Sequence, residues 1–447
     1  MDDSIADQLA KSERPSRRDV FWKTAIVLAV AVIVAAALRY GAHPFAFNAL
    51  RGARSPWTVV LAAGPSLAML LYGLACLFHA LRYRAVEPPS QADLPMLTVV
   101  VPAFNEGPMV RISLLSALAA DYPRDRLEII AVDDGSTDDT WEHIAAVARL
   151  HPETVVAVRQ PKNQGKREAL RTGFLRARGA VVVTVDSDSR LDPGALRAAV
   201  APIVADPEVA AVAGKVVVLN RYESLFTRLL AARFYLTFDL TRAAQSRFGA
   251  VLCCPGALTA YRRAAVMRVL DRWSSQTFLG SPCTIGEDRA LTTWLLRDGS
   301  RSVYQSNAIV QTLVPTMLRG MVKMLIRWER GNIRETLVMI PLLFTSWRKR
   351  DRAWPTVEVI VDLLQFPLGA LATIGIFATI EAPLATLLGA FASLGIVSMI
   401  QSLYCLRCER GTDFVYNVGY VFLVAVGLAW VFPYSCVTLR NGAWLTR

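Results

Sequence analysis

Apolar residues in this chain fall into two kinds of run. Long ones occupy residues 21–38 and 57–80 near the start, and 359–380, 383–404 and a weaker 414–434 near the end. Each of the first four is long enough to cross a bilayer as a helix. Between the two sets lie about 230 residues of ordinary mixed composition, a length suited to one folded domain. In that stretch four short, nearly continuous apolar runs recur about every thirty residues, at 96–104, 127–134, 154–160 and 180–188. Helical periodicity fills the gaps, as in 109–120 and 140–150. Buried strands alternating with amphipathic helices predict an α/β domain with a mainly parallel sheet. The expected organisation is a tail at 1–20, two transmembrane helices in 21–82, an α/β domain over 95–312 and amphipathic interface helices over 313–350. Two further transmembrane helices in 356–404 and a third apolar segment with its tail over 414–447 complete it. That last segment is flanked by basic residues on both sides, so a re-entrant or interfacial helix pair broken near Pro433 is expected, rather than a full span.

Charge orients this layout. Lys11, Arg14, Arg17, Arg18 and Lys23 surround the start of the first run, and Arg82 and Arg84 follow the second. By the positive-inside rule both flanks are cytoplasmic, although Arg39, Arg51 and Arg54 reduce the contrast. The middle domain is therefore expected in the cytoplasm, on a multi-pass protein of the cell membrane. No cleavable signal is evident. The net charge of +12 suits anionic lipid and span orientation; no nucleic-acid-binding module is visible. The seven cysteines agree with a reducing compartment, and the single Cys405-x-x-Cys408 lacks the second pair of a zinc site.

In open parallel sheets ligands bind beyond the carboxyl ends of the strands. Polar residues follow each predicted strand at once: Asn105-Glu106, then Asp133-Asp134-Gly135-Ser136, then Lys162 to Lys166, then Asp186-Ser187-Asp188. Any one could cap a helix. Four on one edge point to a phosphorylated, metal-bridged ligand. If the fourth strand stays extended, Asp186 and Asp188 face the same way. Two carboxylates so placed repel each other, and a positive group, first of all a hard divalent cation, is expected beside them.

The segments VVVPAFNE, VDDGSTDDT, NQGKREAL, VDSDS, CCPGALTAYRR, GEDRALT and RW occur in order over roughly residues 95–335. This set resembles family 2 glycosyltransferases, and within them the processive membrane synthases of hyaluronan and rhizobial chitin oligosaccharides. The resemblance implies a GT-A-type, Rossmann-like domain inserted between transmembrane helices. It implies that Asp133 and Asp134 hold the nucleotide of a UDP-sugar, with Glu106, Lys166 and Asp186 on the donor. Asp188 would ligate Mg²⁺ or Mn²⁺. Glu287 and Asp288 occupy the place of the general base, and Arg327 and Trp328 would meet the diphosphate and a sugar ring. Alternatively, Lys166 is a solvated helix lysine, and Glu287 and Asp288 are only the acidic first turn of a helix. Two departures stand out. Met324 replaces the family's usual glutamine before Arg-Trp, and Cys254-Pro255-Gly256 replaces the usual Cys-x-Gly-Pro.

Residues 317–335 read as an amphipathic helix with Lys323, Arg327, Arg330 and Arg334 on one stripe, suited to lipid headgroups. Glu358, Asp362 and Gln365 form a second polar stripe, either in the headgroup region or along a channel for a growing chain. The reading is a processive inverting β-glycosyltransferase using UDP-N-acetylglucosamine, a growing polysaccharide acceptor and the lipid bilayer. It could form a homo-oligomer. The rivals are a non-processive polyprenyl-phosphate glycosyltransferase and a catalytically inactive nucleotide-sugar-binding regulator of export.

Overall fold

The structure is a computed structural model and describes residues 17–39, 56–345, 352–364, 383–408 and 412–442. Apolar runs in the middle of the chain become strands where expected: β1 (Leu97–Ala103), β2 (Leu127–Asp133), β3 (Val155–Arg159) and β4 (Val181–Thr184). Every residue of β1 and β2 is buried. That is the consequence of helices covering both faces, and it explains why these strands carry no polar alternation.

Six more strands follow: β5 (Ser189–Leu191), β6 (Val209–Val218), β7 (Thr259–Arg262), β8 (Thr277–Phe278), β9 (Ser281–Pro282) and β10 (Arg301–Thr312). Eight build one sheet in the order β3-β2-β1-β4-β7-β6-β10-β5, and β8 and β9 form a separate hairpin. β3, β2, β1 and β4 run parallel. β7 enters antiparallel between β4 and β6, and β6 and β10 are again parallel to each other. From β1 the chain passes to β2 on one side and later to β4 on the other. The switch point between β1 and β4 opens a crevice at their carboxyl ends.

Around this domain lie the apolar helices Arg17–Arg39, Pro56–Leu81 and Pro383–Cys408. Among the described residues, the first is the one helix that is by itself long and apolar enough to cross a membrane. The expected run at 359–380 is described only at its start, in the helix 353–364, and the rest lies outside the described residues. Near the end, Phe414–Gly427 and Val431–Val437 form a pair bent by 55°. The break falls at 428–430, not at Pro433, which sits in the first turn of the second helix. A proline costs no hydrogen bond there.

Candidate active site

β4 ends at Thr184, earlier than the sequence suggests, and Ser189 N donates to Asp186 O at 3.1 Å across a turn. Asp186 and Asp188 are therefore not on an extended strand, yet the turn delivers both to one cavity of about 340 Å³. Lys166 opens the helix Lys166–Arg176 after Gly165, whose φ is 90°. Its ammonium pairs with Asp186 and lies 3.0 Å from Glu287 Oε1. Asp186 thus has its positive neighbour within the chain, and Lys166 is no solvated helix lysine. Burial would lower the pKa of Lys166, but Asp186 and Glu287 override it and raise it. Gly256 closes over this pair. A Cβ there would sit 2.9 Å from Lys166 Nζ and 3.0 Å from Asp186 Oδ1.

Glu287 and Asp288 start the helix Glu287–Arg297, and Gly286 before them is left-handed with φ of 67°. The two neighbours differ in surroundings. Glu287 is buried against Lys166; burial raises its pKa, and Lys166 and Arg327 more than cancel that, leaving it below the ordinary value. Asp288 is half-buried and lines the cavity. Its Oδ1 accepts from Arg289 N at 2.7 Å and its Oδ2 from Gly256 N at 3.2 Å. Burial and the charge of Glu287 raise its pKa, with Lys166 offsetting part. A carboxylate facing a cavity with an elevated pKa has the character of a general base.

The helix Leu318–Met339 lends Met324, Arg327 and Trp328 to the same cavity. Trp328 packs 5.8 Å from Phe238 and 6.1 Å from Phe234 between ring centroids, with Arg233 5.4 Å from its own. The cationic stripe does not meet lipid headgroups along its length. Arg330 and Arg334 are buried, the first donating to Thr438 Oγ1 at 2.9 Å and the second to Ile285 O and, at 3.0 Å, to Glu335 Oε1. Packing has turned this stripe inward because acceptors wait there. The cavity also reaches Tyr72, Gln245, Glu358 and Asp362. Glu358 is buried and accepts from Tyr72 Oη at 2.9 Å and Gln245 Nε2 at 2.8 Å. Asp362 pairs with Arg289 Nη2 at 2.8 Å. Both line the cavity with protein partners; Gln365 lies outside the described residues.

Three expected donor residues stand outside the lining of this cavity. Asp134 accepts from Gln164 N at 2.9 Å and Gly165 N at 2.8 Å. Asp133 accepts from Ser136 N at 3.1 Å and faces Arg159 Nε at 3.2 Å. Glu106 Oε1 accepts from Ser187 Oγ at 2.8 Å, tying the first loop to the fourth. Sequence reasoning missed Tyr72, Gln245 and Phe238 as lining residues. The π-helical turn Tyr235–Leu240 that carries Phe238 is a device common at functional sites, but nothing in its residues announces it.

A divalent cation suits Asp188. Its Oδ1 accepts from Thr312 Oγ1 at 3.3 Å and Ser189 Oγ at 3.4 Å, long contacts that orient the carboxylate. Among the described residues no three His, Cys, Asp or Glu side chains form a metal cage. Asp188 would therefore supply a single carboxylate to such an ion, whose remaining oxygen ligands would have to come from elsewhere.

Residues 95–331 match the family described as glycosyltransferase-like family 2. An N-acetylglucosaminyltransferase of Rhizobium leguminosarum bv. viciae is 33% identical over 407 residues, covering 87% of this chain and 92% of its own. An N-acetylglucosaminyltransferase of Rhizobium meliloti strain 1021 is 33% identical over 370 residues, covering 81% and 84%. A mannosyltransferase from Pyrobaculum calidifontis, solved in complex with GDP-Man and Mn²⁺, superimposes with a TM-score of 0.58. It is 25% identical, over 83% of this chain and 98% of that one.

Proposed function

The chain belongs to glycosyltransferase-like family 2, and from that premise we propose that it is a membrane-bound, processive, inverting β-N-acetylglucosaminyltransferase. The donor is UDP-N-acetylglucosamine and the acceptor is the growing chitin-like oligosaccharide. The observation that carries this reading is one cavity shared by Asp188, Lys166, Asp288, Arg327 and Trp328, which continues to Glu358 and Asp362.

The chemistry follows from the placement. The acceptor hydroxyl gives its proton to the Asp288 carboxylate as its oxygen attacks the anomeric carbon from the face opposite the diphosphate. The bond between that carbon and the diphosphate oxygen breaks, and UDP leaves with inversion at carbon. Lys166 and Arg327 offset the charge developing on the leaving group. A Mg²⁺ or Mn²⁺ ion bound at Asp188 would add further neutralisation there. Trp328 offers a flat apolar face to a sugar ring. Glu358, which is buried, and Asp362, which is half-buried, support a hydrophilic path for the product into a multi-pass membrane region. A regulator that only binds the donor has no use for Asp288, and a lipid-phosphate acceptor has no use for that polar path.

The test is incubation of detergent-purified protein with each radiolabelled UDP-sugar and Mn²⁺, followed by product sizing and chitinase digestion. Chitinase-sensitive oligomers from UDP-N-acetylglucosamine are expected. Asp188→Asn should lose most turnover, and EDTA should mimic it on the wild type. A single sugar transferred to a polyprenyl phosphate would overturn processivity, and an unaffected Asp188→Asn enzyme would overturn the metal assignment.

A further inference from the structure

A second cavity, of about 500 Å³, lies at the opposite edge of the sheet from the catalytic one. It is entered beside the first residues of β6 and β10, Val209 and Arg301, and four guanidinium groups line it: Arg82, Arg84, Arg247 and Arg301. Asp206 is the one acid among its lining residues, and it pairs with Arg301 at 2.5 Å. Arg82, Arg84 and Arg247 are exposed, and none of them pairs with a carboxylate among the described residues. Arg247 Nη1 donates to the main-chain oxygen of Arg82 at 3.0 Å, which ties these two parts of the lining together. Four arginines against the single carboxylate of Asp206 leave the lining net positive, and that favours an anion there.

The neighbouring helix says where that anion comes from. Pro56–Leu81 exposes Leu67, Leu71, Leu74, Phe78 and Leu81, spaced by four and three residues along one face. This apolar stripe ends at Leu81, next in the chain to the lining residue Arg82, whose guanidinium lies over the Phe78 ring at 3.8 Å. An apolar strip a few turns long that ends in a pocket of arginines matches a phospholipid, with acyl chains along the helix and phosphate among the guanidiniums. We infer that this cavity is a binding site for a phosphate-bearing anion, supplied by the headgroup of an anionic phospholipid. Arginine suits it better than lysine, because the planar fork grips a phosphate through two hydrogen bonds. The positive-inside rule alone asks for cations near this helix end, but not for a concave site that gathers Arg247 and Arg301 from distant parts of the chain.

This inference rests on the membrane part of the proposed function. Its test uses no sugar nucleotide, so the two can fail separately. Delipidated full-length protein in detergent is titrated with phosphatidylglycerol, phosphatidylcholine and soluble glycerol phosphate, and bound lipid is counted by native mass spectrometry. The site variant is Arg82→Gln/Arg84→Gln/Arg247→Gln. The control, Arg124→Gln/Arg149→Gln/Arg176→Gln, removes the same charge from exposed positions elsewhere. The expected result is retention of phosphatidylglycerol but not phosphatidylcholine by the wild type and the control, and at least a tenfold weaker affinity in the site variant. Thermal melting of all three shows that they are folded, and Arg247→Glu alone should weaken binding in the same direction. Equal retention by the site variant and the wild type overturns the site. Equal loss in the control overturns its localisation. Saturation by glycerol phosphate at the same concentration overturns the lipid as its source.

Discussion

Glu287 and Asp288 are adjacent in sequence and line the same cavity, yet their surroundings differ: Glu287 is buried and paired with Lys166, and Asp288 is half-buried and accepts main-chain bonds from Arg289 and Gly256. Asp288→Asn should keep UDP affinity near wild type by calorimetry while lowering the polymerisation rate by about 10²–10⁴-fold, the usual loss for a general base. Loss of UDP binding alongside the rate would make Asp288 a structural residue instead. Burial and the Glu287 charge raise the pKa of Asp288, and Lys166 holds it back. The base works only when deprotonated, so the acid limb of the rate profile should lie at higher pH than an unperturbed aspartate would give. Lys166→Met should push that limb to still higher pH even as it slows the enzyme. A limb that stays put or moves down would break the proposed coupling. The sequence made most of these residues legible as candidates, because each follows a strand or opens a helix. It could not say which carboxylate Lys166 would take. That pairing joins loops far apart in the chain, and no local pattern encodes it.

At the scale of elements, the helix that carries Asp288 is pressed against Leu318–Met339 through two glycines. A Cβ on Gly286 would stand 3.2 Å from Gly331 Cα and from Arg334 Nη2, and one on Gly331 would stand 3.4 Å from Gly286 Cα. The added methyl groups of Gly331→Val should therefore tilt one helix off the other and lower turnover more than UDP affinity, whereas Gly331→Ala, whose Cβ only reaches ordinary contact distance, should stay near wild type. Wild-type activity in Gly331→Val would show that this contact does not position the proposed base. Strands β1 to β4 were readable because burial on both faces leaves uninterrupted apolar runs. β7 is only four residues long and exists through pairing with β4 and β6. β10 carries a register shift between Gln305 and Ile309 where polar residues interrupt it. Tertiary pairing decides such strands, and local pattern does not. The cationic stripe of the long helix was legible as a stripe, but its covering by Thr438 and Ile285 was not.

Across the whole molecule, one ion-pair cluster binds the first helix, the catalytic domain and the last helices together. Lys23 lies 2.9 Å from Asp19 and 2.7 Å from Asp413, and Arg221 and Arg228 reach Asp413 at 2.6 and 2.8 Å. Asp413→Ala removes one of the two carboxylates that serve this cluster and leaves Lys23 and Arg228 to share Asp19, and losing the partner of charges so near the interior is destabilising. A clear drop in melting temperature in detergent is expected, against little change for Asp125→Ala on the surface. A melt like wild type would mean that Asp19 alone suffices. Asp413 also begins the bent pair of helices, and the other end of that pair is fixed as well. Thr438 is held by Arg330, and Gly442 O accepts from Thr284 Oγ1 at 2.8 Å, two residues before Gly286. The last described residue therefore rests on the loop that presents the base. An affinity handle fused after Arg447 is tethered to that loop by no more than the length of residues 443–447, so choosing the terminus for purification or surface capture is also a choice about what crowds the proposed base.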